Sequence, residues 1–377
     1  MPLAIEALLA QRPDEAAIAA FLAAHSFPLV EGAEVTFVYH GPASAVRLRH
    51  FIFGLPTAQP FTRVIGTQLW YHTIDLPPGS RVEYKLEIEL GGKKTWIRDP
   101  RNPAIARDPF GANSVCQGAG YEPPEWTEPD SEARPGYLED FTLEDTAFGE
   151  PRRVTVYVPA RFRLRRRYHL LVCHDGGDYL RYAALKTVLD NLIHRLEVAP
   201  LIVALTHPGD RLVEYPDDPR HAQFIAEQLV PAMEERYPLL AKPASRGIMG
   251  ASFGAVASLS TAWRYQGRFG RLLLQSGSFA FTDIGDHTRG PAFDRVVEFV
   301  NRFRHDPGCP GEKVFVSCGT YESLIYENRS IVPRLQSTGM DVRFVEARDG
   351  HNWENWRDRL RAGLSWLFPG PSWMVYE

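Results

Sequence analysis

Apolar positions recur along this chain with two different spacings. In EVTFVYHG, AVRLRHFIF, LWYHTIDL and RVEYKLEIEL they alternate with polar ones, and Gly and Pro turns separate the runs. A period of two puts every second side chain on one face, so these runs predict a small antiparallel sandwich. Further on, VTVYVPA, HLLVCHD, PLIVALT, RGIMGAS, RLLLQSG, KVFVSCG and DVRFVEA, most of them strongly apolar, read as strands interleaved with helically spaced stretches. That pattern predicts a mostly parallel sheet covered on both faces, an α/β architecture. Residues 118–134, rich in Pro, Glu and Gly, read as the linker. At the front, acidic residues interrupt the apolar positions of MPLAIEALLAQRPDEAAIAAFLAAH and no basic leading region is present, which predicts amphipathic helices rather than a signal peptide. The expected division is 1–127, helices plus β-sandwich, and 128–377, the α/β part; 377 residues at 44% hydrophobic suffice for one large core and one small one.

The run GIMGASFGAVAS joins a strand-like stretch, 246–249, to a helix-like one, 253–266, whose apolar positions include Val256, Leu259, Ala262 and Trp263. At the junction Gly250-Ala251-Ser252-Phe253-Gly254 fits the G-x-S-x-G nucleophile elbow. There a serine is held out on a strained turn, and glycines flank it because a Cβ would clash with the neighbouring strand or helix. Ser252 is therefore the candidate nucleophile.

A serine hydroxyl needs a base, and the base needs a carboxylate, in the chain order Ser, acid, His. Glu322 follows KVFVSCG, and His351 lies in the loop after DVRFVEA. Both sit past the carboxyl ends of predicted strands, where open α/β sheets gather functional groups. His174 and His207 also follow strand-like runs but precede the serine, and Asp349 is too close to His351 in sequence to reach behind its ring easily. For the oxyanion, the donors expected are the N–H of Phe253 and that of Gly177, where the strand 170–173 breaks into His174-Asp175-Gly176-Gly177. The same dipeptides also fit a plain β-turn.

With these residues in place the chain resembles the enterochelin (enterobactin) esterases, within a wider esterase family that includes feruloyl esterases, S-formylglutathione hydrolases and mycolyltransferases. The resemblance runs through HDGGDYL, EYPDDPRHAQFIAEQLVPAMEERYP, GASFGAVAS, QSGSFAF, GTYESLIYENR and DGHNWENWRDRL. In the front region it runs through EVTFVYHG, GTQLWYHTIDLPPGSRVEYKLEI and DPRNP followed by SVCQGAGYEPPEW. It implies an α/β-hydrolase with a mostly parallel sheet and an N-terminal all-β immunoglobulin-like (early-set) sandwich. The family's serine, acid, histidine and oxyanion loop fall on Ser252, Glu322, His351 and Gly177. Implied too is hydrolysis of a catecholate siderophore tri-ester, with ferric iron part of the substrate and neither cofactor nor catalytic metal required. Two other readings stand beside it: an esterase for another aromatic or sugar ester with an accessory binding domain in front, and a non-catalytic binder on a hydrolase fold.

Asp178, Tyr179, Arg211, Phe279 and Trp353 are the expected substrate contacts, with Phe281, Tyr321, Trp356, Arg181 and Arg289 near them in sequence. Aromatic walls and a cationic rim suit a flat aromatic acyl group. Trp353 and Trp356 also fit simple packing of their helix, and Arg211 fits a brace to Glu214. The net charge of −4 gives no general affinity for nucleic acid or anionic membrane. Arg161, Arg163, Arg165, Arg166 and Arg167 lack interleaved aromatics and read as a solvated connection between strands. The four cysteines suggest neither a disulfide framework nor a metal pair, and no run reaches membrane-spanning length. A cytoplasmic enzyme acting on a small-molecule ester is expected, with homo-oligomerisation left open.

Overall fold

Each of the apolar and alternating runs forms a strand in the computed structural model, which describes residues 2–282 and 289–371. The chain divides into two compact units. One comprises residues 1–123 together with two short segments, 319–322 and 347–352; the other holds the remainder.

The first unit begins with helices Ala4–Ala10 and Glu15–Ala24, the second capped by Asp14, whose carboxylate accepts the Ala17 N–H at 2.8 Å. Two antiparallel sheets follow. One runs in the order Leu29–Glu31, Glu34–His40, Leu69–Asp75, Thr62–Arg63. The other runs Ala58–Pro60, Ala45–His50, Arg81–Leu90, Gly111–Gln117, Ile105–Asp108, with Lys93–Ile97 also paired to Arg81–Leu90. Alternation does its expected work: Val35 and Phe37 face a core shared with Val46, Leu48 and Leu86, all essentially inaccessible to water. Val38 and Leu69 face the other way, onto Ile18, Phe21 and Leu22 of the helices. The sheet containing Glu34–His40 is thus buried on both faces.

In the second unit eight strands lie in the order Tyr137–Leu143, Arg152–Val158, Leu201–Thr206, His169–Cys173, Arg246–Ala251, Arg271–Gln275, Lys313–Gly319, Asp341–Ala347. The first three pair antiparallel, and from Leu201–Thr206 to Lys313–Gly319 the pairing is parallel. Separate apolar cores cover the two faces of this sheet. Tyr137–Leu143 is a strand the sequence pattern did not single out. It is an edge strand whose first four residues are exposed, and its charged Asp140 accepts from Thr155 Oγ1 at 2.6 Å, so it lacks the apolar stripe of the others.

Part of the Pro-rich stretch is also firmer than a linker. Asn191 Nδ2 donates to the carbonyls of Trp126 and Glu128 at 2.9 and 2.7 Å, tying that segment to helix Leu185–His194. Among the described residues no helix is long and apolar enough to cross a membrane.

Candidate active site

Ser252 stands between strand Arg246–Ala251 and helix Phe253–Arg264 with φ 58° and ψ −121°, a conformation L-residues rarely adopt. Space rather than φ demands glycine at 250 and leaves little room for a side chain at 254. A Cβ on Gly250 would lie 2.4 Å from the Gly254 carbonyl, and one on Gly254 would lie 3.3 Å from Asp175 Oδ2. The turn is tied to the adjoining strand by the Ser252 N–H, which donates to Gln275 O at 2.9 Å. Ser252 Oγ is 3.2 Å from Ser278 Oγ.

Ser278 belongs to the QSGS run, whose chemistry the sequence did not announce. Ser276 there has φ 44°, and its hydroxyl accepts Trp356 Nε1–H at 2.9 Å. Asn328 grips Gly277 from both sides, donating to its carbonyl at 2.9 Å and accepting its N–H at 3.2 Å. Left-handed backbone at Ser276 and paired amide bonds at Gly277 are tertiary devices with no local sequence signature beyond small residues.

The loop expected to supply the second oxyanion donor opens a helix, Gly176–Tyr182, after Asp175 at φ 52° and ψ 39°. Gly177 is in the first turn, where N–H groups have no intrahelical acceptor, and so is Phe253 in its own helix. That resolves the β-turn alternative in favour of a helix start. A Cβ on Gly176 would lie 2.5 Å from Leu205, and one on Gly177 would lie 3.3 Å from the His207 ring.

Arg211 organises this corner. Its Nε reaches both oxygens of Asp175 at 2.9 and 3.0 Å, its Nη2 reaches Asp175 Oδ2 at 2.9 Å, and the same Nη2 donates to Ala251 O at 3.3 Å. One guanidinium therefore joins the residue before Gly176 to the residue before Ser252. Arg211 is a brace, but not through Glu214, whose carboxylate pairs with Arg152 at 2.7 Å.

Two expected substrate contacts are interior. Tyr179 is fully buried, donates its hydroxyl to Gln275 Oε1 at 2.8 Å, and meets Trp353 edge-on at a centroid distance of 5.2 Å. Phe279 is also fully buried, in the core on one face of the sheet. Both follow strands in sequence, but the chain turns them inward because their rings fill space between sheet and helices. Trp353 is nearly buried and packs T-shaped on Trp356 at 4.8 Å, as the packing alternative foresaw. Asp178 is half-buried, and burial and the nearby Asp175 both push its carboxyl above the ordinary value.

His174 is enclosed, with Nδ1 3.0 Å from Met249 O and Nε2 2.8 Å from His221 Nε2; burial holds it well below the usual imidazole range. It is a core histidine. His207 shares a 3.0 Å hydrogen bond with Thr155, and burial lowers it as well.

In the other unit Glu322 and His351 meet. His351 Nδ1 donates to Glu322 Oε2 at 2.7 Å, and Glu322 Oε1 accepts the Gly319 N–H at 2.7 Å. Glu322 is buried while His351 is exposed. The close approach needs Gly319, since a Cβ there would lie 2.2 Å from Asp349 O and 2.8 Å from Glu322 Oε1. Asp349 turns away from the imidazole toward Arg81, with Asp349 Oδ1 and Arg81 Nη1 3.2 Å apart. Burial pushes its carboxyl up to about 6 against the opposing pull of Arg81.

Residues 146–367 match the model of the family described as "Putative esterase". An Iron(III) enterobactin esterase of Escherichia coli O6:H1 is 22% identical over 373 residues, spanning 88% of this chain and 90% of that protein. Among solved structures, the ferric enterobactin esterase of Salmonella typhimurium superposes with a TM-score of 0.73 at 20% identity, over 89% of this chain and 93% of that one. A ferulic acid esterase from Anaeromyces mucronatus superposes with a TM-score of 0.54 at 17% identity, over 66% of this chain and 96% of its own. The fold is accordingly an α/β-hydrolase preceded by an all-β region.

Proposed function

Given that the chain belongs to the Putative esterase family and is a carboxylic ester hydrolase, we propose that it works through a Ser252–His351–Glu322 triad on a catecholate siderophore tri-ester. Ser252 Oγ attacks the ester carbonyl carbon as His351 takes its proton. The tetrahedral oxyanion is received by the N–H groups of Phe253 and Gly177, and its collapse expels the alcohol, which leaves with the proton from His351. Water, activated by the same imidazole, then hydrolyses the acyl-serine. Glu322 fixes the imidazole through Nδ1 and stabilises its positive charge during each transfer. The observation that carries the chemistry is the 2.7 Å bond from His351 to Glu322, which leaves Nε2 as the ring's proton-accepting position.

The substrate class rests on the front of the chain. Similarity to the enterobactin esterase extends over 88% of the chain, whereas the ferulic acid esterase fold covers 66% of it. A front domain of residues 1–127, enterochelin-esterase-N-like, ahead of a hydrolase domain of residues 128–377 fits that difference. Asp178 and Trp353 remain the proposed substrate contacts, ferric iron would arrive as substrate cargo, and a cytoplasmic site of action follows from the same reading.

A hydrolysis panel tests this: a tri-catecholate lactone with and without ferric iron, feruloyl and acetyl esters, and p-nitrophenyl esters. The highest kcat/KM is expected on the lactone, and Ser252→Ala should lose about three to six orders of magnitude in kcat on every ester. Preference for feruloyl or acetyl esters would replace the siderophore reading with the accessory-domain alternative. More than about a tenth of wild-type activity in Ser252→Ala would remove the nucleophile assignment.

A further inference from the structure

The loop carrying His351 is gripped by a side chain that lies 268 residues away in sequence from Asp349. Arg81 opens strand Arg81–Leu90 and is completely buried. Its backbone N–H donates to Arg348 O at 2.9 Å. From its guanidinium, Nη1 reaches Asp349 Oδ1 at 3.2 Å, Asp349 Oδ2 at 3.4 Å and Asn352 Oδ1 at 3.0 Å, while Nη2 reaches Glu83 Oε1 at 3.0 Å. Asp349 and Asn352 flank His351 on either side, and they also bond each other, Asn352 Nδ2 to Asp349 Oδ1 at 2.8 Å. One planar fork thus fixes both ends of the short segment from which the imidazole projects.

The segment bearing Glu322 is held by the same part of the sandwich. Ser80 Oγ lies 2.5 Å from the Tyr321 hydroxyl, the Phe53 N–H donates to Tyr321 O at 2.9 Å, and the Tyr321 N–H donates to Asp349 O at 3.1 Å. Arg348 also donates through its guanidinium to Pro78 O. These contacts all lie within the one compact unit that contains residues 1–123, 319–322 and 347–352.

A buried ion pair is a poor way to gain stability, because desolvation offsets most of the attraction and an apolar pair of similar volume often serves as well or better. What a buried guanidinium does supply is direction, since its donors are coplanar and rigid. We infer that Arg81 is a positioning residue for the acid–base pair: by clamping Asp349 and Asn352 it holds His351 in the orientation in which Nδ1 meets Glu322. The inference rests on the reading of His351 as the base. It gives the front unit a part in the chemistry of every ester, small ones included, in addition to any role in recognising a large substrate.

The test uses the full chain and p-nitrophenyl acetate, whose binding calls on little beyond the reacting groups. Arg81→Met is expected to lower kcat about ten- to a hundredfold with KM changed less than about twofold, and Arg81→Lys to recover part of the loss. Because Arg81→Met leaves Asp349 buried without its cation, the double variant Arg81→Met/Asp349→Leu is the folded control, and it should show the same kcat deficit. The low-field proton of the His351–Glu322 hydrogen bond, seen in wild type by NMR and assigned with Glu322→Gln, should be lost in the double variant. Unchanged kcat in the folded double variant overturns the proposal, and so does a fall in kcat that leaves the low-field proton in place. Ser252→Ala and His351→Ala run in parallel, and residual activity there would indict the triad reading independently of Arg81.

Discussion

Glu322 spends its two oxygens on two different partners: Oε2 takes the His351 Nδ1–H at 2.7 Å, and Oε1 takes the Gly319 N–H at 2.7 Å. On the proposed triad, the backbone bond holds the carboxylate in place, so its charge is available without reorganisation when His351 takes up a proton. Replacing it with an amide keeps the shape but removes the charge and permits the wrong tautomer. Glu322→Gln should therefore lower kcat about a hundredfold to ten-thousandfold, with His351→Ala costing more. Steady-state kinetics on one good ester compare the two. Wild-type activity in Glu322→Gln would show that another carboxylate, or none, supports the base.

Arg211 makes a second relationship measurable. Its bonds to Asp175 and Ala251 O link the two backbones that present the Gly177 and Phe253 amides. On the proposed assignment of these amides to the oxyanion, loosening that link should misplace the donors without altering ground-state binding. Arg211→Lys keeps the charge but loses the fork, and about a tenfold fall in kcat is expected, with a matching loss in affinity for a boronic acid that mimics the tetrahedral intermediate. If the boronic acid binds the variant as tightly as wild type, Arg211 does not shape the oxyanion site.

Asp349 yields a pH dependence whose sign can be worked out. Its folded carboxyl lies at about 6, above the ordinary 3.8, with burial the largest cause and Arg81 opposing it. Between those values the folded protein holds a proton that the unfolded chain has released. Its contribution to stability therefore falls as pH rises through that window and is flat above it, on the order of 1–3 kcal/mol in all. Asp349→Asn removes the titration. The melting temperature of Asp349→Asn relative to wild type should rise from pH 4 to pH 6 and then level off. A relative fall over the same range would mean that Arg81 outweighs burial and holds the carboxylate ionised.

Much of the architecture was legible because it depends on neighbours in sequence. The seven predicted runs of the sheet each form a strand; six are strongly apolar, as strands covered on both faces must be, while DVRFVEA, with three charged residues, buries only Ala347. Ser252 was legible for a similar reason. The demand on Gly250 comes from the Gly254 backbone, so that part of the pattern is written within five consecutive residues, whereas Gly254 is confined by Asp175 and His174 from another strand end. The pairing of Glu322 with His351 was legible from their places after KVFVSCG and DVRFVEA, and the two are hydrogen-bonded at 2.7 Å.

What only the tertiary structure decided is which side chains face whom. Tyr179 and Phe279 occupy sequence positions beside functional loops yet point into the cores, because a ring is placed by the volume around it and not by its rank in the chain. Arg211 pairs with Asp175 although Glu214 lies only three residues away, since helix Arg211–Glu214 turns the nearer carboxylate toward Arg152. The grip of Arg81 on Asp349 and Asn352 has no sequence trace at all. Sequence alone determines local strain, periodicity and the order of strands along the chain; partners hundreds of residues apart are chosen by packing, where burial makes every unpaired charge costly and so selects the one geometry that satisfies it.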